Sequence, residues 1–376
     1  MGIEAGRVES LVMRPEFWRN RRVLLTGHTG FKGTWLSLWL QQMRAQVRGL
    51  ALDPPSSPAC FDLVAAARGM EDLRGDIRDP GFVTAAMSDF QPEIVIHMAA
   101  QSLVRPSYAD PVATYAINVM GTAHVLEAAR GCASVRAIVV VTSDKCYENR
   151  EWDRGYREDD AMGGYDPYSS SKACAELVTA AYLRSFFNPE RYADHRVGLA
   201  SARAGNVIGG GDWAVDRLIP DAMRAFASQR ELVVRFPEAI RPWQHVLEPL
   251  GGYLRLAQGL YEAGPPCAGA WNFGPDAEAE RPVRYLAEQI TGLWGDGAAW
   301  CAKPDSNAPH EAHYLTLDAS KARDGLGWHP KLNLDNALAL TVAWYKAFSR
   351  GQDMHEFTLA QIAAYANTTE PAMHLA

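Results

Sequence analysis

Val23-Leu24-Leu25-Thr26-Gly27-His28-Thr29-Gly30-Phe31-Lys32-Gly33 reads as a buried strand, a glycine-spaced turn and the start of a helix. Val23–Leu25 is a short apolar run. From Phe31 onward Trp35, Trp39 and Met43 recur four apart, on one helical face. Gly27 lets the chain turn sharply off the strand, Gly30 lets a pyrophosphate approach the backbone, and Gly33 lets the helix pack close to the sheet. The helix N-terminus offers free N–H groups and a partial positive charge to a phosphate. Ordinary tight turns also carry glycines, so the context decides. A second strand, Val47–Leu52, ends at Asp53, 20 residues after Gly33. A carboxylate there suits the hydroxyls of an adenosine ribose and repels a 2′-phosphate, which favours NAD over NADP. The alternative for Asp53 is a loop carboxylate ahead of Pro54–Pro55.

The chain has 376 residues, 48% hydrophobic and 22% charged, enough for one large or two interlocked domains with a substantial core. A net charge of −7 gives no electrostatic reason to expect nucleic acid or an anionic membrane as partner. No apolar run reaches membrane-spanning length, and Glu4, Arg7 and Glu9 interrupt any signal-peptide core. Six scattered cysteines without C-x-x-C argue against a zinc site and a disulfide framework. A reducing cytoplasm is the expected compartment.

Along the chain, residues 1–20 read as an irregular lead-in with an aromatic anchor at Phe17–Trp18. Gly75-Asp76-Ile77 reads as the end of a third strand. Asp76 fits either a hydrogen bond to an adenine amino group or the cap of the helix near Pro80. Glu93–Met98 is a fourth strand around Ile94, Val95 and Ile96, followed by Ala99-Ala100-Gln101, small enough at a strand end to admit a flat cofactor. The helix Val112–Arg130 carries Asn118 mid-length, which costs propensity and either holds a kink or a water or is simply solvated. Ala137–Val141 is a fifth, doubly buried strand. It runs into Thr142-Ser143-Asp144-Lys145, polar groups at the edge where α/β enzymes place their sites. The loop 148–166 is long, charged and aromatic. A helix Pro167–Phe187 and a sixth strand, Val197–Arg203, follow. Four glycines in Gly205–Gly211 require close backbone approach or a hard bend. From about Asp212 the alternation is lost.

Tyr168 and Lys172 share a helical face. In a chain with 14 tyrosines such a spacing arises by chance; its value lies in following a nucleotide turn and a strand ending in Ser143-Asp144. A phenol with an ordinary pKa near 10 must fall by about 3, or about 4 kcal/mol, to act as a base near neutrality. An ammonium on the same face supplies part of that. Ser143 can donate to the same reacting oxygen, giving a device that removes a proton from a hydroxyl while hydride leaves its carbon.

Thr26–Gly33, Thr142-Ser-Asp-Lys-Cys-Tyr147, Tyr168-Ser-Ser-Ser-Lys172, Arg203-Ala-Gly-Asn-Val-Ile-Gly-Gly-Gly-Asp-Trp213 and Arg241-Pro-Trp-Gln-His245 together resemble the extended short-chain dehydrogenases/reductases. More narrowly they resemble the nucleotide-sugar 4,6-dehydratases, in particular the branch acting on CDP-glucose. The resemblance runs from Phe17 to about Tyr345. It implies an α/β fold: a Rossmann-type doubly wound parallel sheet over residues 17–211 that binds NAD. It also implies a smaller, partly interwoven mixed α/β substrate-binding domain over 212–350 and a C-terminal helix and tail over 351–376.

The reaction implied is redox-neutral. NAD+ takes hydride from C4 of the sugar with Tyr168 as base, water leaves across C5 and C6, and the hydride returns to C6. The implied catalytic set is Ser143, Asp144, Lys145, Tyr168 and Lys172. The implied cofactor set is Gly27, Thr29, Gly30, Phe31, Lys32, Gly33, Asp53, Asp76, Ile77, Ala99, Ala100, Gln101 and Asn118, together with Tyr168 and Lys172. Ser102, Arg105, Asn206, Leu218, Ile219, Arg241 and His245 would hold the substrate. Arg241 suits a diphosphate through its two-pronged fork or forms a surface salt bridge. His245 is either a site residue or a core or capping histidine.

Relatives acting on dTDP- or GDP-sugars carry Asp-Glu where this chain has Asp144-Lys145. Asp144 can still protonate the departing C6 hydroxyl. Lys145, as a base for the C5 proton, would have to be neutral, which burial beside Lys172 could bring about. Strand alternation would send the two side chains to opposite faces, so the backbone is expected to leave β geometry at Asp144. An epimerase or net reductase on the same scaffold would not need Asp144. A silent nucleotide sensor would not need Ser143, Tyr168 and Lys172. The resemblance also implies a homodimer, with Val112–Arg130 and Pro167–Phe187 of each subunit forming a four-helix bundle.

Overall fold

The computed structural model describes residues 13–303 and 314–368; the expectations for residues 1–12 and for the last residues of the chain lie outside these. The frame is a seven-stranded sheet. In chain order its strands are β1 (Arg22–Thr26), β2 (Gln46–Ala51), β3 (Glu71–Arg74), β4 (Ile94–His97), β5 (Ala137–Val141), β6 (Gly198–Ala204) and β7 (Gly269–Phe273). All neighbours pair in parallel, in the spatial order 7-6-5-4-1-2-3. The reversal between β1 and β4 opens the crevice in which such sheets bind ligands.

Both faces are covered, as strict alternation in the strands dictates. Val23 and Leu25 face one core with Ile94, Ile96, Val139 and Ala202, under α1 (Phe31–Gln42). Leu24 faces the other with Val95, Ile138 and Leu199, under α2 (Pro80–Phe90) and the helical segment Gly121–Arg130. Trp35 and Trp39 are fully buried and Met43 nearly so, as their spacing required. The α2 helix is capped by Asp79, whose carboxylate accepts from Gly81 N and Phe82 N. Asp76 instead binds Arg78 and stays on the cleft wall, which removes the capping alternative.

Helix α3 begins at Pro111–Tyr115 and ends at Gly121–Arg130, with a π-helical turn at Ala116–Met120 between. Asn118 sits inside that turn and is buried. A π turn breaks the regular ladder, most often at functional sites. The catalytic-edge helix is α4 (Pro167–Ser185), capped by Asp166 Oδ1 on Ser169 N at 2.9 Å.

The expected boundary at Asp212 needs one amendment. Helix α5 (Leu247–Glu262) packs on β5 and β6, and β7 extends the main sheet beside β6, register Trp271 to Ala202. Thus 247–273 belongs to the Rossmann body although it lies beyond Asp212. Around it, short strand pairs Leu232–Val234 with Trp300–Ala302 and Ile240–Pro242 with Glu280–Pro282 build the opposite wall of the cleft. Helix α6 (Met354–Asn367) packs on α1 through Tyr365 against Trp39, rings 5.6 Å apart. Near the N-terminus Phe17 meets Tyr261 edge-on and Trp18 is fully buried, the anchor expected of that pair. No helix among the described residues is long and apolar enough to cross a membrane.

Candidate active site

A cleft of about 1620 Å³ runs along the C-terminal edge of the sheet. Single ligand pockets span roughly 300–1,000 Å³, so there is room for two sizeable ligands side by side. One half is the glycine turn. Gly27 has φ +77°, and a Cβ on it would lie 2.7 Å from Ala99 N. A Cβ on Gly33 would lie 2.1 Å from Gly27 O, so the helix start is pressed on the turn itself. Gly30 differs: a Cβ there meets only Gly27 O, at 3.4 Å, and otherwise points into the cleft. That open face above three tightly packed residues, at a helix start, fits the pyrophosphate of a dinucleotide.

Thr26 holds the opposing Ala99 segment. Its hydroxyl oxygen accepts from Met98 N and Ala99 N, both at 3.1 Å, and lies 2.7 Å from His97 Nδ1. His97 Nε2 lies 3.1 Å from Thr122 Oγ1, which itself donates to Asn118 O. The donors run one way only if His97 is neutral with its proton on Nε2, and burial does push its pKa down to about 3. Asp53 and Asp76 stand at the far end of this half, with Thr29, Phe31, Lys32, Ile77, Ala100, Gln101, Ser102 and Arg105 along it.

The chemistry-bearing edge lies at the end of β5. After Ser143 the chain leaves extended geometry for a short 3-10 turn, Asp144–Cys146, capped by Ser143 Oγ on Lys145 N. The departure from β geometry expected at Asp144 is therefore present, and Asp144 and Lys145 both line the cleft. Asp144 is 2% exposed. Its Oδ1 accepts from Ser143 Oγ at 2.9 Å, and its Oδ2 is buried without a partner. Burial raises its pKa, opposed by Lys145, Ser143 and Arg241. A carboxyl in that setting can hold and deliver a proton.

Tyr168 also lines the cleft and bonds Ser143. Burial pushes its phenol up to about 12, with the Ser143 bond and Arg217 pulling down and Asp144 pushing up. Burial, and not Lys172, is the largest influence on the phenol. Lys172 is buried behind the cleft wall, its Nζ donating to Val141 O at 3.3 Å, and its own pKa falls to about 8. Burial, with Lys172 and Arg217 adding repulsion, takes Lys32 down to about 7. Lys145 is half-buried on the cleft wall, not enclosed.

Asn206, Leu218, Ile219 and Arg241 line the same cleft. Two other assignments are corrected. Asn118 does not line the cleft. Its Oδ1 accepts from Gln101 N at 2.9 Å, and its Nδ2 donates to Gln101 O and to Ser171 Oγ, at 2.9 and 2.8 Å. It ties the cofactor edge to α4 from behind. His245 does not line the cleft either: it is fully buried, edge-on to Trp35 at 5.8 Å, and burial pushes its pKa down to about 3. It is the core histidine of the two alternatives.

The sequence reading missed Arg217, which joins Asp212 at 2.9 Å, approaches Ser102 Oγ at 3.4 Å and bears electrostatically on both Tyr168 and Lys32. It also missed Asp216, which bridges Arg235 and Arg105 at 3.1 and 3.3 Å. Both lie in irregular backbone after the glycine run, where no periodicity marks a site.

A parallel sheet in this order, a glycine cradle and Ser143 and Tyr168 at one cleft with Lys172 behind its wall define a Rossmann-type enzyme of the extended short-chain dehydrogenase/reductase class. The family model for GDP-mannose 4,6 dehydratase matches residues 24–259, and the chain belongs to that family. It is 54% identical over 353 residues to the CDP-glucose 4,6-dehydratase of Salmonella typhimurium, covering 94% of this chain and 98% of that protein. It is 25% identical to the dTDP-D-glucose 4,6-dehydratase of Bos taurus, covering 91% and 93% of the two. Among solved structures, dTDP-glucose 4,6-dehydratase of Bacillus anthracis in complex with NAD superposes with TM-score 0.71 at 20% identity, covering 88% of this chain and 98% of that one. UDP-glucose 4-epimerase of Thermus thermophilus with NAD gives 0.72 at 22%, covering 86% and 99%. Dehydratase and epimerase structures match equally, so these likenesses establish the fold.

Proposed function

We propose that the chain is an NAD-dependent CDP-glucose 4,6-dehydratase, converting CDP-D-glucose to CDP-4-dehydro-6-deoxy-D-glucose and water. Near full-length identity of 54% to a protein of that name supports the substrate. The single observation that carries the reaction is Asp144: a buried carboxyl with one unpartnered oxygen, next to the Ser143–Tyr168 pair, in the cleft. When bound beside Tyr168, NAD+ would supply the hydride acceptor for C4 and the hydride donor for C6, and a positive charge near a phenol that burial holds high. Tyr168 receives the proton of the C4 hydroxyl, with Ser143 donating to the same oxygen. The C4 ketone acidifies C5–H, whose proton passes to a base lining the cleft, Lys145 being the candidate the motif offers, and Asp144 protonates the departing C6 hydroxyl. Gly27–Gly33, Asp53, Asp76, Ile77 and Ala99–Gln101 hold the dinucleotide. Ser102, Arg105, Asn206, Leu218, Ile219 and Arg241 hold the nucleotide sugar.

Purified enzyme assayed with CDP-, dTDP-, GDP- and UDP-glucose should yield a 4-keto product absorbing in alkali from CDP-glucose above all others. Equal or greater turnover of another nucleotide sugar sinks the substrate assignment.

A cytoplasmic homodimer completes the reading. All six cysteines are free thiols. Tyr108, Val112, Met120, Tyr165, Leu177 and Phe186 are six of ten exposed large apolar side chains among the described residues, and they lie on α3, α4 and the segments flanking them. Burying such a patch against a second copy is its usual fate. Val112→Glu with Leu177→Glu should convert a dimer to monomers by light scattering. A wild-type protein that elutes as a monomer sinks the four-helix-bundle arrangement.

A further inference from the structure

Two of the motifs carry residues with no part in the chemistry above, Tyr147 and Arg203, yet both lead to one buried carboxylate. Glu176 lies one turn beyond Lys172 and two beyond Tyr168, so the three share a face of α4. The Glu176 and Arg203 side chains are each 4% exposed. Thr142 Oγ1 donates to Glu176 Oε1. Ser201 Oγ and Arg203 Nη2 both donate to Oε2, at 2.7 Å. Arg203 Nη1 reaches on to Tyr147 OH at 2.7 Å and Glu158 O at 3.1 Å. Tyr147 OH in turn donates to Asn272 Oδ1 at 2.8 Å. The residue after β5 and strand β6 therefore bond one side chain of α4 directly, and the loop after Asp144 and edge strand β7 join it through Arg203.

We propose that Glu176 is the positioning residue that fixes the Ser143–Asp144 edge against Tyr168 and Lys172 and supplies the counter-charge beneath the Lys172 ammonium. Thr142 directly precedes Ser143, so pinning its hydroxyl leaves Ser143 and Asp144 no freedom to slide along α4. The groups that bear on Lys172, or that it bears on, are Glu176, Cys146, Lys32 and His97. Burial holds Cys146 as a thiol and His97 neutral, and Lys32 is basic. Glu176 is thus the one negative charge among these four. A buried ion pair adds little stability over a well-packed apolar pair, so stability alone does not explain why three donors converge on Glu176.

The geometry stands by itself; the reaction used to test it rests on the dehydratase reading. Glu176→Gln and Thr142→Val, as full-length NAD-loaded enzyme, are assayed on CDP-glucose from about pH 6 to 10. Each should lose about tenfold in kcat with KM held within about twofold. In Glu176→Gln the alkaline limb should also move down by about one pH unit, because Lys172 loses the carboxylate charge that raises its pKa. In Thr142→Val the limb should stay in place. Wild-type kcat with an unmoved profile in Glu176→Gln overturns the proposal, as does a loss uniform in pH that tracks a lowered Tm. Should Glu176→Gln not fold, Thr142→Val decides alone, and wild-type kcat in it overturns the proposal. Wild-type protein inert on every nucleotide sugar fails the substrate reading instead. The position of Ser143 and Asp144 in a crystal structure of Glu176→Gln then decides: displaced supports the proposal, unmoved overturns it.

Discussion

Replacing Gly33 by alanine tests whether the glycine turn is a packed cradle for a dinucleotide. The new methyl would lie 2.1 Å from Gly27 O, whereas ordinary contact begins near 3.4 Å. One side must retreat by about 1.3 Å. Gly27 cannot yield, because it is held by Leu50 O at 2.8 Å and pressed on Ala99, so the start of α1 moves. Overpacking of this kind costs about 1–3 kcal/mol, or about 1–4 °C in Tm for a chain of this length. Binding suffers more. Losing a single N–H bond to a charged group costs about 1.5–3 kcal/mol, about 10–150-fold in Kd for NAD. Gly30→Ala is the control. Gly30 has φ −78° and ψ 167°, open to any residue, and its methyl clashes with nothing in the protein. It should keep the wild-type Tm and still bind NAD more weakly, because the methyl occupies the cleft. Calorimetric titration with NAD and thermal melts read both quantities. A Gly33→Ala protein with wild-type NAD affinity, or a Gly30→Ala protein indistinguishable from wild type, refutes the cradle.

Asp144→Asn should lower dehydration by about 10²–10⁴-fold while NAD and CDP-glucose bind within about threefold of wild type; an enzyme as active as wild type would favour an epimerase. Arg241→Lys keeps the charge but loses the two-pronged donor, so KM for the nucleotide sugar should rise about tenfold with kcat little changed, and an unchanged KM would remove Arg241 from the diphosphate. Glu248, buried on α5, accepts from Lys331 N and Leu332 N and from Tyr365 OH, and burial raises its pKa from 4.5 to about 7. The folded state holds that proton to higher pH than the unfolded chain, so its contribution of roughly 3 kcal/mol is complete below about pH 4.5 and lost as pH rises through about 7. Glu248→Gln should therefore flatten the dependence of Tm on pH across that window and exceed wild type above it; parallel Tm curves would contradict this.

The half of the site built from consecutive residues was legible in the sequence. Gly27–Gly33, Ala99–Gln101 and Ser143–Asp144 each follow a strand directly, so recognising the strand places the residues at the sheet edge. Even the turn at Asp144 could be foreseen, since alternation forbids two neighbours from facing one cleft. What escaped depends on distant partners. Asn118 looked like a cofactor ligand, but a π turn aims it at Gln101 and Ser171. His245 ends a motif whose Arg241 reaches the cleft, yet the short strand carrying it turns the imidazole onto Trp35. Local pattern also cannot price burial: Lys172 stands a helical turn from Tyr168, but desolvation is the largest influence on the phenol and pushes it up.

The late return of Gly269–Phe273 to the sheet bears on how the chain reaches its native state. Until those residues leave the ribosome, the backbone amides and carbonyls along one side of β6 have no mate, although more than half of the chain has been made. A bare, apolar strand margin is an invitation to intermolecular pairing, and pairings between remote segments are slow to form. Truncation just past the glycine run should therefore give an aggregating fragment, not an independent nucleotide-binding module.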